Sequence, residues 1–300
     1  MSHSTYLSKR KLYFLIVISI SVLFSGCRQE DPTYLRSINE WHKARINFLK
    51  SEEGYVNLAG LYWLEEGENT FGADSSNQII FPEKAAPHFG TFVLNKGTVK
   101  LINSSSILVE DKLVKDTVLV YNDTTDLTMR YKSLQWYIIK RGDDIGIRLR
   151  DFDNPILLSF DSIDYYPTDQ KWKLDATWKA YQEPKNVDFQ NMLGMTINYT
   201  IYGAFHFTID GQEYTLEPLG EPEPEGYFVM FYDKTSSHTT YGSGRYIYVP
   251  EPDESGHTIL DFNKAYNPPC AFTEFATCLF PHKENRLPIY VNAGEKFSGH

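Results

Sequence analysis

The chain has 300 residues, room for one large or two ordinary domains, and carries 29 Lys+Arg against 39 Asp+Glu, a formal net charge of −10 at pH 7. Phosphate backbones are held by clustered Lys and Arg, so this acidic balance excludes nucleic acid as a main partner. Tyr (21) and Phe (19) are abundant, Met (5) is scarce, and short Thr, Val and Ile runs alternate with turn residues, a composition that predicts β structure.

The chain opens with a basic patch, Lys9-Arg10-Lys11, an apolar run from Leu12 to Leu23, and then Phe24-Ser25-Gly26-Cys27. A basic start, a short apolar core and small residues at a cleavage point describe an export signal. The apolar core is well short of the roughly 20 residues that span a bilayer. Leu23-Phe24-Ser25-Gly26-Cys27 resembles a bacterial lipobox, with Phe24 larger than usual at its position, and implies lipidation of Cys27 after removal of residues 1–26. Cleavage would leave 26 basic and 39 acidic residues, a net −13. Such a surface is repelled by anionic lipid, so the acyl chains on Cys27 would hold the protein, at roughly 0.8 kcal/mol per buried methylene. The expected location is the bacterial cell envelope, lipid-anchored on the periplasmic or cell-surface face.

Residues 28 to 33 read as a short polar tether. From Tyr34 to Leu49, Leu35, Ile38, Trp41, Ala44 (or Arg45) and Phe48 recur at three- and four-residue spacing, which predicts an N-terminal helix. Strands follow at Tyr55 to Leu64, Gln78 to Phe81, and Gly90 to Leu94. Asn95-Lys96-Gly97 turns the chain into Thr98 to Ile102. Ser106 to Val109, Thr117 to Val120, Thr128 to Lys132, Gln135 to Arg141 and Ile145 to Arg150 continue the pattern. Residues 151 to 185 carry weaker signals, with Asp161 to Tyr166 read as a strand and a domain junction nearby. Beyond it, Met195 to Tyr202 and Ala204 to Ile209 lead through Asp210-Gly211 into Gln212 to Pro218. Tyr227 to Tyr232 and Arg245 to Val249 are apolar strands.

Residues 67 to 102 resemble a forkhead-associated domain in outline: a strand into Gly72, a polar loop, Ile79-Ile80-Phe81, His88 and Asn95-Lys96-Gly97-Thr98. That family binds phosphothreonine through an arginine and a serine where this chain has Ala73 and Ala85. Alanine cannot pair with phosphate, so the resemblance implies the sandwich without the phosphopeptide function. Over nearly all of the mature chain, four segments resemble the bacterial domain of unknown function 1684 family. They are Asn57 to Leu64, Tyr241-Gly-Ser-Gly-Arg-Tyr246, Asp261 to Phe272 and Glu284-Asn-Arg-Leu-Pro288. Membership implies no established reaction.

The densest polar constellation runs from Asp233 to Arg286. Asp233, His238, Arg245, Asp261, Asn263 and Arg286 would suit a cleft for a small polar or acidic ligand, with Arg245 and Arg286 as anchors. Asp233 and Arg245 suit a buried structural ion pair equally. His238 with Ser236, Ser237 or Cys270 would serve a hydrolase, although the Gly-x-Ser-x-Gly elbow is missing. A structural envelope protein is a third reading. Cys270 and Cys278 allow a disulfide, worth roughly 2.5 kcal/mol by loop entropy; a metal site with His282; or two free thiols. No cofactor is expected, since glycine-rich phosphate loops and dinucleotide fingerprints are missing.

The expected architecture is mainly β: a signal peptide (1–26), a tether and helix (27–54), a small forkhead-associated-like β-sandwich (55–160), and a C-terminal β-barrel or curled-sheet domain (185–300). The expected role is a non-catalytic binding module for a small polar or acidic ligand.

Overall fold

A computed structural model describes residues 31–103, 106–114 and 116–298. The expected signal segment, Cys27 and most of the expected tether lie outside the described residues. Two compact units are distinguished, Met1–Ser37 and Ile38–His300. The fold is mainly β, with a single long helix among the described residues.

That helix spans Pro32–Lys50, two residues earlier than apolar spacing predicts. Asp31 explains the difference: its carboxylate accepts from the Thr33 N–H at 2.9 Å, and Pro32 supplies a preset first-turn φ. From residue 38 onward the buried stripe is Ile38, Arg45 and Leu49, with Trp41 and His42 partly covered. Ala44 and Phe48 face outward, Phe48 being 38% exposed. The stripe therefore carries a charge, which Glu295 pairs at 3.0 Å.

Residues 58–151 form two six-stranded sheets. One contains Leu58–Trp63, Leu134–Arg141 and Asp144–Asp151; the other contains Gly67–Gly72, Gly90–Asn95, Thr98–Asn103 and Thr117–Asn122. Their facing sides share one core. Phe71 stacks on Phe92 at 4.4 Å between centroids, and Trp136 meets Phe71, Phe81 and Phe89. Lys96 and Gly97, both at positive φ, close a two-residue hairpin loop, the geometry that matches strand twist. The polar loop that resembles a phosphopeptide site bonds to itself: Asn77 Nδ2 donates to the Asp74 and Pro87 carbonyls, and Ser76 donates to Asp74.

The connecting region departs from expectation. Asp161 to Tyr166 is not a strand; Tyr165 makes one isolated bridge, to Glu295. A short helix, Pro155–Ser159, is capped by Asn154, which accepts from the Ile156 N–H. An 18-residue strand, Lys173–Gln190, then pairs with Thr196–Ile209. Its register shifts between Ala180 and Lys185, where Pro184 has no N–H to give a ladder. Gln212–Leu216 and His257–Asp261 complete that sheet, and Tyr227–Phe231 pairs with Arg245–Val249. The sheets include a curled half-barrel. Phe205, Phe207, Val229, Phe231, Ile247 and Phe262 fill a second, separate core. Asp210 and Gly211, both at positive φ, form the expected turn.

Candidate functional site

The hairpin Leu134–Arg141/Asp144–Asp151 organises the site. Side chains alternate across a strand, so Trp136, Ile138, Ile147 and Leu149 enter the sandwich core. On the opposite face, Tyr137 stands across from Arg148 and Gln135 across from Arg150. Arg141 shares that face. Three guanidiniums are thereby presented on one side of one hairpin.

Arg141 and Arg148, with Lys140, line a cleft of about 500 Å³. Ile197, Phe228 and Met230 give it an apolar side, and Tyr55, Tyr199 and Tyr246 contribute phenols. Among the described residues no carboxylate lines it. The remaining wall is the segment closed by the Cys270–Cys278 disulfide, whose Cα atoms are 6.1 Å apart. That segment holds the cations in place. Thr277 Oγ1 accepts from Arg141 Nε at 3.1 Å, and the Phe275 carbonyl accepts from Arg148 Nη2 at 3.3 Å. Tyr246 donates to the Leu279 carbonyl at 3.1 Å.

Most guanidinium donors remain free for a ligand, since each group carries five N–H. Arg148 Nε is buried without a partner. The Arg148 guanidinium is pushed below its ordinary value, mainly by burial; Tyr137 opposes the shift and the nearby Arg141 and Arg150 add to it. Crowded, partly desolvated cations of this kind are stabilised by an incoming anion. Burial raises Tyr55, against the pull of Arg45, Arg150 and Arg148, so its phenol stays protonated and available as a donor.

The residues singled out from sequence lie elsewhere. Asp233 and Arg245 form an ion pair at 3.3 Å with both side chains essentially inaccessible. Asp261 caps the turn Phe262–Lys264, and Asn263 exchanges hydrogen bonds with the Asp169 backbone at 3.1 and 3.0 Å. His238 is exposed on a turn, and no side-chain hydrogen bond joins it to Ser236, Ser237 or Cys270 among the described residues. Arg286 is exposed, lying 4.6 Å over the Tyr232 ring. His282 sits between Glu284, at 3.0 Å, and Glu217, at 3.5 Å. Asp233 meets Arg245 and Asp261 accepts from Asn263 at 3.1 Å, but the two pairs and His238 and Arg286 are not gathered into one site, and none of the six lines the cleft.

Comparison with known proteins gives the class. The profile of a family described as a protein of unknown function, DUF1684, matches residues 158–296. The chain belongs to that family. The match takes in Tyr241–Tyr246, Asp261–Phe272 and Glu284–Pro288, but not Asn57–Leu64. A solution NMR structure of an uncharacterised protein from Haloarcula marismortui is 30% identical, covers 46% of this chain and 77% of its own, and superposes with a TM-score of 0.38. Comparison with curated proteins finds no match. The apolar side and disulfide wall of the cleft fall inside the family segment, whereas Tyr55, Lys140, Arg141 and Arg148 fall outside it.

Proposed function

We propose that this protein is a non-catalytic binding module for a small anionic ligand, kept at a bacterial cell envelope by lipid on Cys27. One observation carries the binding reading: two guanidiniums, those of Arg141 and Arg148, and no described carboxylate line a cleft of about 500 Å³ that has an apolar side. Ligand pockets typically run to several hundred Å³, mostly apolar with a few convergent polar groups. The chemistry of the lining favours an anion carrying an apolar or aromatic portion. Among the described residues its lining contains no nucleophile with an adjacent base, which supports binding over turnover.

Phenyl phosphate and benzoate are suitable probes, with inorganic phosphate as the comparison. Saturable stabilisation of the native protein is expected, about 2.7 kcal/mol at a hundredfold excess over Kd. Arg148→Met and Arg141→Met should each weaken binding about tenfold or more, since a hydrogen bond to a charged group contributes roughly 1.5–3 kcal/mol. Unchanged melting of the native protein with every probe defeats this reading.

Anchoring has its own test. Among the described residues no helix is long and apolar enough to cross a membrane, so the reading rests on the Leu23–Cys27 sequence. Cys27→Ser should move the protein from the membrane fraction to the soluble one. A variant that stays with membranes as the native protein does rules out the lipid.

A further inference from the structure

The disulfide wall of the cleft is held differently from its other walls. Ala276, Thr277 and Cys278 line the cleft, and the Cys270–Cys278 bond closes the segment that carries them. Residues 273–277 belong to no strand or helix. They lie outside the described hydrophobic cores, and among the described residues no backbone–backbone hydrogen bond ties them to another element. The strands opposite, by contrast, are locked in ladders.

Both flanks of this wall are anchored without the cross-link. Phe272 packs in the small core with Leu49, Val56 and Leu157. On the other side the Met192 N–H donates to the Cys278 carbonyl at 3.0 Å, and the Phe280 N–H donates to the Gln190 carbonyl at 2.8 Å. What fixes the stretch between them is the sulfur bridge and the two bonds it receives, from Arg141 Nε to Thr277 Oγ1 and from Arg148 Nη2 to the Phe275 carbonyl. The dependence is mutual: the guanidiniums hold the wall, and the wall aims the guanidiniums. Closing a loop covalently removes freedom that its residues would otherwise have, and groups held in a binding geometry beforehand cost less to order when a ligand arrives.

We propose that the Cys270–Cys278 bond regulates this cleft: the disulfide form binds the anion, and the dithiol form binds it more weakly because the wall loosens and Arg141 and Arg148 lose their fixed acceptors. The proposal rests on the binding reading above. Cys278 lines the cleft and Cys270 is half-buried, so a small dithiol has a route to the bond. The exchange is balanced. One thiolate of the dithiol attacks a cysteine sulfur, the S–S bond breaks, and the dithiol's second sulfur closes on the mixed disulfide. Cys270 and Cys278 each end as a thiol carrying one proton, and the dithiol ends as its own disulfide. Coupling of this kind is reciprocal, so a bound anion makes the bridge harder to reduce by the same factor.

Titration calorimetry of the full chain with phenyl phosphate tests it, on the oxidised protein, on protein reduced with dithiothreitol, which is uncharged and does not compete for the cations, and on the Cys270→Ser/Cys278→Ser double variant. Circular dichroism checks that each form is folded. The oxidised protein should bind saturably, and the other two about fivefold more weakly or less still, the lower end of ordinary coupling between sites. Dithiothreitol should not change the double variant, which separates the bridge from Cys27, the remaining cysteine. Chymotrypsin should cut after Phe275 faster in the reduced protein than in the oxidised one. Equal or tighter binding by the folded reduced protein, or an unchanged cut at Phe275, overturns the redox proposal and leaves the binding reading standing. Unfolding on reduction overturns it too, since the bridge would then staple the whole fold. No saturable binding by the oxidised protein overturns both.

Discussion

Arg245→Ala should strongly destabilise the protein rather than empty a binding site. Arg245 is wholly inaccessible at the edge of the second core. Its Nη2 donates to the Val291 carbonyl at 2.9 Å and meets Asp233 at 3.3 Å, and its Nη1 donates to the Ala293 carbonyl. Asp233 in turn accepts from the Thr235 hydroxyl at 2.8 Å and the Val291 N–H at 2.8 Å. Burial pushes the guanidinium down, and the neighbouring Asp233 carboxylate pulls it back up. Removing one member leaves the other charged and unpaired in a closed space, a loss of about 3–5 kcal/mol. Small proteins hold only about 5–15 kcal/mol in all. Urea unfolding should show a much lower midpoint with an unchanged slope. A loss below about 1 kcal/mol would mean that water reaches the pair. The Arg45 pair is expected to behave alike.

Glu295 is fully buried, accepting from Arg45 Nε at 3.0 Å and the Asn267 N–H at 2.7 Å. Arg45 also donates to the Asn267 carbonyl at 2.9 Å and lies 4.5 Å over the Tyr266 ring. Glu295→Ala should cost about 3–5 kcal/mol. The pH dependence has a definite sign. Burial holds the carboxyl above its ordinary 4.5, although Arg45 and the Asn267 N–H pull the other way. A raised folded value means the group's contribution is full below 4.5 and is lost as pH rises through the raised value. The stability gap between native protein and Glu295→Gln should therefore be wider in acid than at neutral pH. A gap that narrows on acidification would place the carboxyl below its ordinary value instead.

The mainly β class, the leading helix and the tight hairpins at Lys96-Gly97 and Asp210-Gly211 were legible because they are written in local chemistry. Lys173–Gln190 was not. Gln182-Glu183-Pro184 is polar on both faces, so the strand shows neither an apolar run nor a clean alternation, and only its long partner makes it a strand. In the helix, spacing alone left Ala44 and Arg45 as alternatives; the choice depends on Glu295, which no local pattern reveals. The candidate cleft was hidden for a related reason. Arg148 and Arg150 alternate with Ile147 and Leu149, so their face was readable. What covers that face, the Phe275–Thr277 stretch and the strands near Tyr199 and Met230, is set by tertiary contacts. Asp233 and Arg245 suited either a ligand anchor or an internal pair from residue type alone, and only burial separates those roles.

The hydrogen bond from Arg45 to Glu295 joins positions 250 residues apart. Ordering so long a loop is entropically slow, although each doubling of its length adds only about 0.6 kcal/mol. The clasp between Arg45 and Glu295 cannot close until every residue between them is available. A chain emerging from its amino end would carry an unlatched helix, with the Arg45 guanidinium unpaired, until Glu295 is free to meet it.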